Sequence, residues 1–367
     1  MKYFFCTLLF IFFAFTAKTS FAAELKTDVQ LEIALLETMT KETMASNFMG
    51  AISSQNGNIF FIGRHPKTKK LKWHLYNPFA KKIISEGDCP FVEFTASNIS
   101  ANSGFALAYG KYPNALWSLN LETKNWENLY QNPGRGKEGL AITPISPFSF
   151  VNDTTAYSLL DLWDKEHFVL DTMIVAFGAN QSKTDTVASL WKFKNEAVKI
   201  ITGKDLKNPS YLTDFMRFGE NNSFLCVVKN KPQAEDKGFK AHLFLSTPSE
   251  FCKKIDEASG RILPMDIVSP SKMLYAADLG PTGKTFLFED GKKTPVLVGP
   301  NAMAGKIFKN GKIGLYTRER GSFAIYIGTP QKMKKVMTFA KPYGAIFIEE
   351  INKFVVVKDK TISYYNL

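Results

Sequence analysis

The chain has 367 residues, 45% hydrophobic and 14% aromatic, with a formal charge of +12. That length accommodates one to three domains, and the lack of any low-complexity tract or long charge run excludes a disordered chain. The positive balance favours anionic partners, and 32 Phe suit stacked strands.

The first segment reads as an address. "MK" is a basic start, "YFFCTLLFIFFAFTA" an apolar run, and "KTSFA" a cleavage site with small residues at Ser20 and Ala22. An apolar run of about 15 residues is short for a bilayer crossing. The expectation is cleavage near Ala22 and a periplasmic or secreted protein that is not membrane-spanning, with a signal peptide at 1–22 and one folded domain at 23–367. Export sets nucleic acid aside as a ligand. Next, "DVQLEIALL" (28–36) alternates with Val29, Leu31, Ile33 and Leu35 on one face. It reads as a strand, with an amphipathic helix through 31–45 as the alternative.

From there a unit recurs: apolar strand, tight polar turn, second apolar strand, polar loop, aromatic-rich third strand, short turn, fourth strand. It fits 48–87, 211–255, 262–299 and 301–340, and "SANSGFALAYGKYPNALWSLNLETKNWENLY" (100–130) is another copy. Asn56-Gly57, Asp290-Gly291 and Asn310-Gly311 supply turn dipeptides. Second strands begin near Ile59, Phe105, Phe224, Met273, Ile313 and Phe354, at spacings of about 40–50 residues in the second half. Four-stranded units of this period are propeller blades, each burying its faces against its neighbours. The fold class is therefore all-β: a single propeller of seven four-stranded blades, with six or eight as alternatives. Two stacked sandwiches are the rival reading. The last unit is one strand short, and the strand near 28–36 is expected to complete it from the other end of the chain.

Residues 142–203 are irregular. They read as one blade with an insertion near 159–177, or as two compressed blades, and "LLDLWDKEHF" as a short helix or a hairpin extension. Cys89, Cys226 and Cys252 remain after cleavage. Cys226 falls on a second strand and Cys252 on a fourth, about 9.5 Å apart; a disulfide reaches roughly 7 Å between Cα atoms, so no bridge is expected. His65, His74, His167 and His242 lie far apart in sequence, and no metal site or cofactor is expected.

"NISANSGFALAYG" followed by "ALWSLNLETKNWENLY" resembles the repeat of TolB-type, WD40-like propellers of exported bacterial proteins. The likeness covers the ring alone, without the N-terminal domain of TolB. It implies the fold and an envelope setting, and transfers no partner.

Catalytic motifs are not found. "GPTGKT" (280–285) resembles a phosphate loop, but Asp278 stands where that motif needs glycine, and strands flank it. There is no G-x-S-x-G elbow. Paired acids at Asp161/Asp164, Asp256/Glu257 and Glu349/Glu350 read as solvated corners. Trp163 and His167, beside Asp164, mark a candidate pocket in the insertion. Glu93, Asp214 and Asp266 on first strands are the acids that could converge on the axis.

The informative pattern is charge placed on topology. In a propeller the loops joining second and third strands share one face. Here they fall near 64–71, 110–114, 178–186, 229–240, 278–284, 317–321 and 358–360, and they carry nearly all the excess positive charge. Arg64, Lys67, Lys69, Lys70, Arg318 and Arg320 are the candidate binding residues, joined by Lys111, Lys229, Lys231, Lys237, Lys240, Lys358 and Lys360. The expected function is a monomeric, non-catalytic envelope protein that holds an acidic protein or anionic envelope polymer on this face. The alternative is a lyase- or lactonase-type enzyme acting on a glycan or small ester at the channel.

Overall fold

A computed structural model describes residues 27–32, 58–64, 68–77, 80, 82–100, 104–132, 141–144, 148–152, 154–164, 168–178, 184–204, 211–230, 240–278, 283–340, 344–348, 353–358 and 361–366. The leader expected at 1–22 lies outside them. Among the described residues, seven antiparallel sheets succeed one another along the chain.

Strand β1 (Thr27–Glu32) comes first and is set aside for the last sheet. The first sheet holds β2 (Ile59–Arg64), β3 (Leu71–Asn77) and β4 (Lys82–Asp88). The second holds β5 (Glu93–Ile99), β6 (Phe105–Lys111), β7 (Ala115–Asn120) and β8 (Asn125–Gln131). In the third, β9 (Ala141–Pro144) and β10 (Ser149–Phe150) both pair with β11 (Thr155–Asp164), followed by β12 (Phe168–Gly178) and β13 (Thr184–Ser189). Helix α1 (Leu190–Thr202) follows. The fourth sheet is β14 (Tyr211–Phe218), β15 (Phe224–Asn230), β16 (Ala241–Ser246) and β17 (Lys253–Ala258). The fifth is β18 (Ile262–Ser269), β19 (Lys272–Ala277), β20 (Gly283–Glu289) and β21 (Lys292–Gly299). The sixth is β22 (Asn301–Ile307), β23 (Ile313–Glu319), β24 (Ser322–Thr329) and β25 (Lys332–Phe339). The seventh is β26 (Gly344–Ile348), β27 (Lys353–Lys358), β28 (Thr361–Asn366) and, outermost, β1. Val29 lies opposite Tyr364 and Leu31 opposite Ile362, so the segment read as a closing strand is one.

The second strands show why the sheets stack. Successive side chains point to opposite faces, and each face meets a different neighbour. Phe224, Cys226 and Val228 of β15 pack toward Ile174 of the third sheet, while Leu225 and Val227 pack with Ile262, Met273 and Tyr275 of the fifth. Leu274 and Ala276 of β19 turn the other way, onto Ile313 and Leu315 of the sixth. On β6, Ala106 and Ala108 join Phe60 and Trp73 of the first sheet, and Leu107 and Tyr109 join Phe148 and Phe177 of the third. A strand buried on both faces needs a continuous apolar run rather than alternation.

A second repeat is geometric. β4, β8, β13, β17, β21 and β25, the last strands of the first six sheets, each contain one extra residue: Ile84, Leu129, Val187, Ile255, Val296 and Val336. Such bulges bend the strand and strengthen its twist. Hairpin corners use the expected dipeptides where they are described: Asp290 and Gly291 have φ of 48° and 80°, and Gly311 has φ of 79°.

The third sheet departs from the pattern. "LLDLWDKEHF" is a hairpin extension, since β11 and β12 pair from Thr155↔Gly178 to Asp164↔Phe168. The following segment is helical, which the repeat did not foretell. Ser189 caps α1 by accepting the Lys192 N–H at 3.2 Å, and Gly203 ends it in the left-handed region at φ 68°. Phe193 of α1 packs against Phe224 and Phe244, so the helix stands between the third and fourth sheets.

Among the described residues, Cys89, Cys226 and Cys252 are free. Cys252 is not on the fourth strand, which begins at Lys253; it sits in the preceding turn at φ 63°. That turn brings it into the same core as Cys226. Burial, then the neighbouring Cys252 and Asp214, pushes the Cys226 thiol up, and burial pushes Cys252 up to about 12. Both remain protonated and unreactive at neutral pH.

Candidate functional site

Antiparallel pairing puts the turns from second to third strand at one end of every sheet, together with the connections between sheets. These turns span 64–71, 111–115, 164–168, 230–241, 277–283, 319–322 and 358–361. One assignment is corrected: 178–184 joins the third strand β12 to the fourth strand β13 and belongs to the opposite end. The turn in its place, 164–168, is the tip of the long hairpin. With Asp164, Lys165 and Glu166 it carries a formal charge of −1, where Lys183 and Asp185 cancel in 178–186, so the surplus of this end is smaller but still positive.

Lys69, Lys70, Lys240, Arg318 and Arg320 are exposed at this end. Arg64 closes β2 opposite Leu71. Trp163 lies on β11, in register with Val169 and Ala141, near the hairpin tip. Lys67 and His167 lie outside the described residues. Two local pairings involve charges of this end. Lys229 gives its charge to Asp214 at 2.6 Å. Glu319, between Arg318 and Arg320, turns instead to Lys335 at 2.6 Å and accepts the Tyr326 hydroxyl. Burial favours its neutral form, but these hydrogen bonds outweigh it and hold the Glu319 carboxyl below the usual range.

The first strands form the inner wall. β14, β18 and β22 lie against one another in sequence, whereas the fourth strands are largely exposed. The acids on this wall do not gather. Asp266, buried on β18, accepts the Ile307 N–H of β22 at 2.8 Å. Lys306 stands 3.5 Å away on β22, and Arg217 4.0 Å away on β14. Asp214 is held by Lys229, and Glu93 sits exposed at the end of β5 opposite Lys111. Asp266 therefore ties three consecutive sheets together. Among the described residues, no three His, Cys, Asp or Glu side chains are grouped as metal ligands.

The two described histidines share a position that the sequence reading missed. His74 on β3 pairs with Glu86 on β4, and His242 on β16 with Glu257 on β17. In each case a buried imidazole meets a half-exposed carboxylate, at 3.0 Å and 3.6 Å respectively. The shared His and Glu in third and fourth strands was the available signal.

Solved structures of the same shape exist at very low identity. An oligogalacturonate lyase in complex with manganese has a TM-score of 0.54 at 7% identity, covering 87% of this chain and 89% of that one. The β-propeller domain of the Trilobed protease from Pyrococcus furiosus, described as having an open velcro topology, has a TM-score of 0.52 at 12% identity, covering 82% and 84%. The Cps50 (Swd1) β-propeller domain of Myceliophteria thermophila has a TM-score of 0.52 at 10% identity, covering 92% and 100%. No protein-family model matches the chain, and no curated protein matches it by sequence. Successive antiparallel sheets, each core shared by two of them, and these neighbours define a β-propeller. Its neighbours include a lyase, the propeller of a protease and a propeller domain whose description states no activity, so the likeness carries the fold and no activity.

Proposed function

We propose that the chain is an exported, TolB-type propeller that acts by binding rather than catalysis. Its loop end holds an acidic protein or anionic envelope polymer in the periplasm or outside the cell. The supporting observation is the placement of charge: Lys69, Lys70, Arg318 and Arg320 are exposed at one end of their sheets, and the one acid among them, Glu319, is engaged by Lys335. Arg64 and Lys67 extend the same basic stretch. Glu93 and Asp278 are exposed at the same end, so the face has a positive surplus rather than a single sign, and such a surplus raises the local concentration of partners of the opposite sign. The channel wall supports the non-catalytic reading, because the carboxylates of Asp214 and Asp266 are taken up by Lys229, Lys306 and Arg217. The test is a pull-down from envelope extract at low and high salt, comparing the native chain with Lys67→Glu, Lys69→Glu and Lys70→Glu combined. Loss of the recovered partners at low salt is expected. Equal recovery by both proteins would move the site to the channel mouth and the 161–168 hairpin tip.

A further inference from the structure

The basic end is also apolar. Leu212 of β14 lies opposite Lys229, and Val298 of β21 opposite the exposed Lys284. Met303 of β22 is two residues past Asn301, whose register partner is Arg318. In the second sheet, Val92 donates its N–H to the Lys111 carbonyl at 3.1 Å, and Tyr112 follows at the turn. These five side chains are 38% (Leu212), 60% (Val298), 46% (Met303), 54% (Val92) and 70% (Tyr112) exposed. Each is at the end of its sheet that carries the second-to-third turns. At four sheets, then, an exposed apolar group lies near a basic residue; Lys229 is already paired with Asp214, which leaves Lys111, Lys284 and Arg318 as the cations that can meet a partner.

The backbone takes part in this arrangement. β22 pairs Ala302 with Thr317 and Ala304 with Tyr316, which leaves Met303 as the extra residue of a bulge. β14 breaks register just after Leu212 and Thr213, and β5 breaks it between Phe94 and Ala96. Bulges re-aim side chains out of the regular pleat. Of the exposed apolar groups Met303 is itself the extra residue of a bulge, while Leu212 lies one residue before the irregularity of β14 and Val92 just before β5.

Charge alone suits any polyanion. Aliphatic and aromatic groups among the charges suit a partner that also has apolar surface to bury, the usual make-up of a protein-recognition surface. We infer that the loop end takes an acidic polypeptide segment carrying interspersed aromatic or aliphatic side chains, and not a fully hydrated anionic polymer. This rests on the basic-face reading above and narrows it to one class of partner.

The experiment uses three fluorescent probes on the mature chain: poly-glutamate, a random glutamate–tyrosine copolymer and polygalacturonate. Binding is read by anisotropy at low salt and at salt high enough to screen exposed charges. The copolymer is expected to bind about tenfold more tightly than poly-glutamate, a difference that burial of a few apolar groups supplies, and to retain that lead at high salt. Combined Leu212→Ser, Val298→Ser and Met303→Ser should bring the copolymer down to the poly-glutamate level and leave poly-glutamate binding unchanged. Equal binding of copolymer and poly-glutamate by the native chain would overturn the inference, as would polygalacturonate matching the copolymer or a preference that survives the triple serine variant. Failure of the broader reading looks different: poly-glutamate would bind the native chain and the Lys→Glu variant alike, or bind neither.

Discussion

Arg217 and Lys306 on the inner strands both lean on the buried carboxylate of Asp266, while Arg318 and Arg320 at the loop end are exposed and the acid between them faces Lys335. The same residue types therefore do different work at two places in neighbouring sheets. On the wall, pairing across sheets removes charge from solution and joins neighbours. At the loop end the charges face solvent, where attraction acts over a Debye length of about 8 Å at physiological salt. The largest break in this contrast is Asp266→Ala. It removes the acceptor of the Ile307 N–H and leaves two cations without their counter-charge. Both cations are partly exposed and can rehydrate, so the expected loss is about 2–3 kcal/mol, typical of a hydrogen bond to a charged group. Chemical denaturation measures it, and binding of anionic probes at the loop end should be unchanged.

A break of similar origin without charge is Gly110→Val, at the end of β6. A Cβ at Gly110 would stand 2.4 Å from the Phe91 ring, which packs in the core between the first two sheets. The ring must move, and overpacking of this kind costs about 1–3 kcal/mol. Gly110→Ala should cost less, with the same sign, in the same unfolding assay.

The buried histidine adds a pH term. Burial lowers the pKa of His242, and Lys254 and Lys240 push the same way against Glu257, which raises it. A depressed folded-state value means the unfolded chain binds the proton more readily. Stability from this site is complete above the unfolded value of about 6.5 and is lost as pH falls toward the folded value. His242→Gln should flatten the decline of Tm between neutral and mildly acidic pH. An unchanged slope would show that the site does not titrate as described.

The parts legible in the sequence are those set by composition. β15, β19 and β23 were visible because a strand buried on both faces must be apolar throughout, and the Asp290-Gly291 corner because positive φ selects those residues. The closing role of β1 followed from a last unit lacking its outer strand. Helix α1 was missed because the strand repeat on either side set the expectation, although Ser189 and Gly203 mark its two ends as caps. Bulges change which residues pair and leave composition untouched, so nothing in "NAMAGKI" announced Met303 as an extra residue. The basic loops could be located from the strand pattern alone, except in the third sheet, where the long hairpin displaced the turn by more than ten residues. The partners of Asp214 and Asp266 could not be found, since they depend on which neighbouring side chains the packed sheets bring within reach.

The smallest effect on stability and the largest on binding should come from the same substitution. Lys69 and Lys70 are exposed in the turn between β2 and β3, with Lys67 just before them. Exposed substitutions usually change stability by no more than about 0.5 kcal/mol each. The added carboxylates also reduce like-charge repulsion with Arg64, so Lys67→Glu, Lys69→Glu and Lys70→Glu together should leave Tm nearly unmoved. Binding behaves differently, because each reversal subtracts one attraction and adds one repulsion at the partner's surface. Poly-glutamate affinity should fall at least about tenfold at low salt, and the salt dependence of the remaining binding should flatten, since fewer exposed charges are left to screen. Asp266→Ala and this variant then form a crossed pair: the first lowers stability and spares binding, the second spares stability and lowers binding. If both variants lost stability and binding together, the wall and the loop end would be one coupled unit and the division of their charges would be wrong.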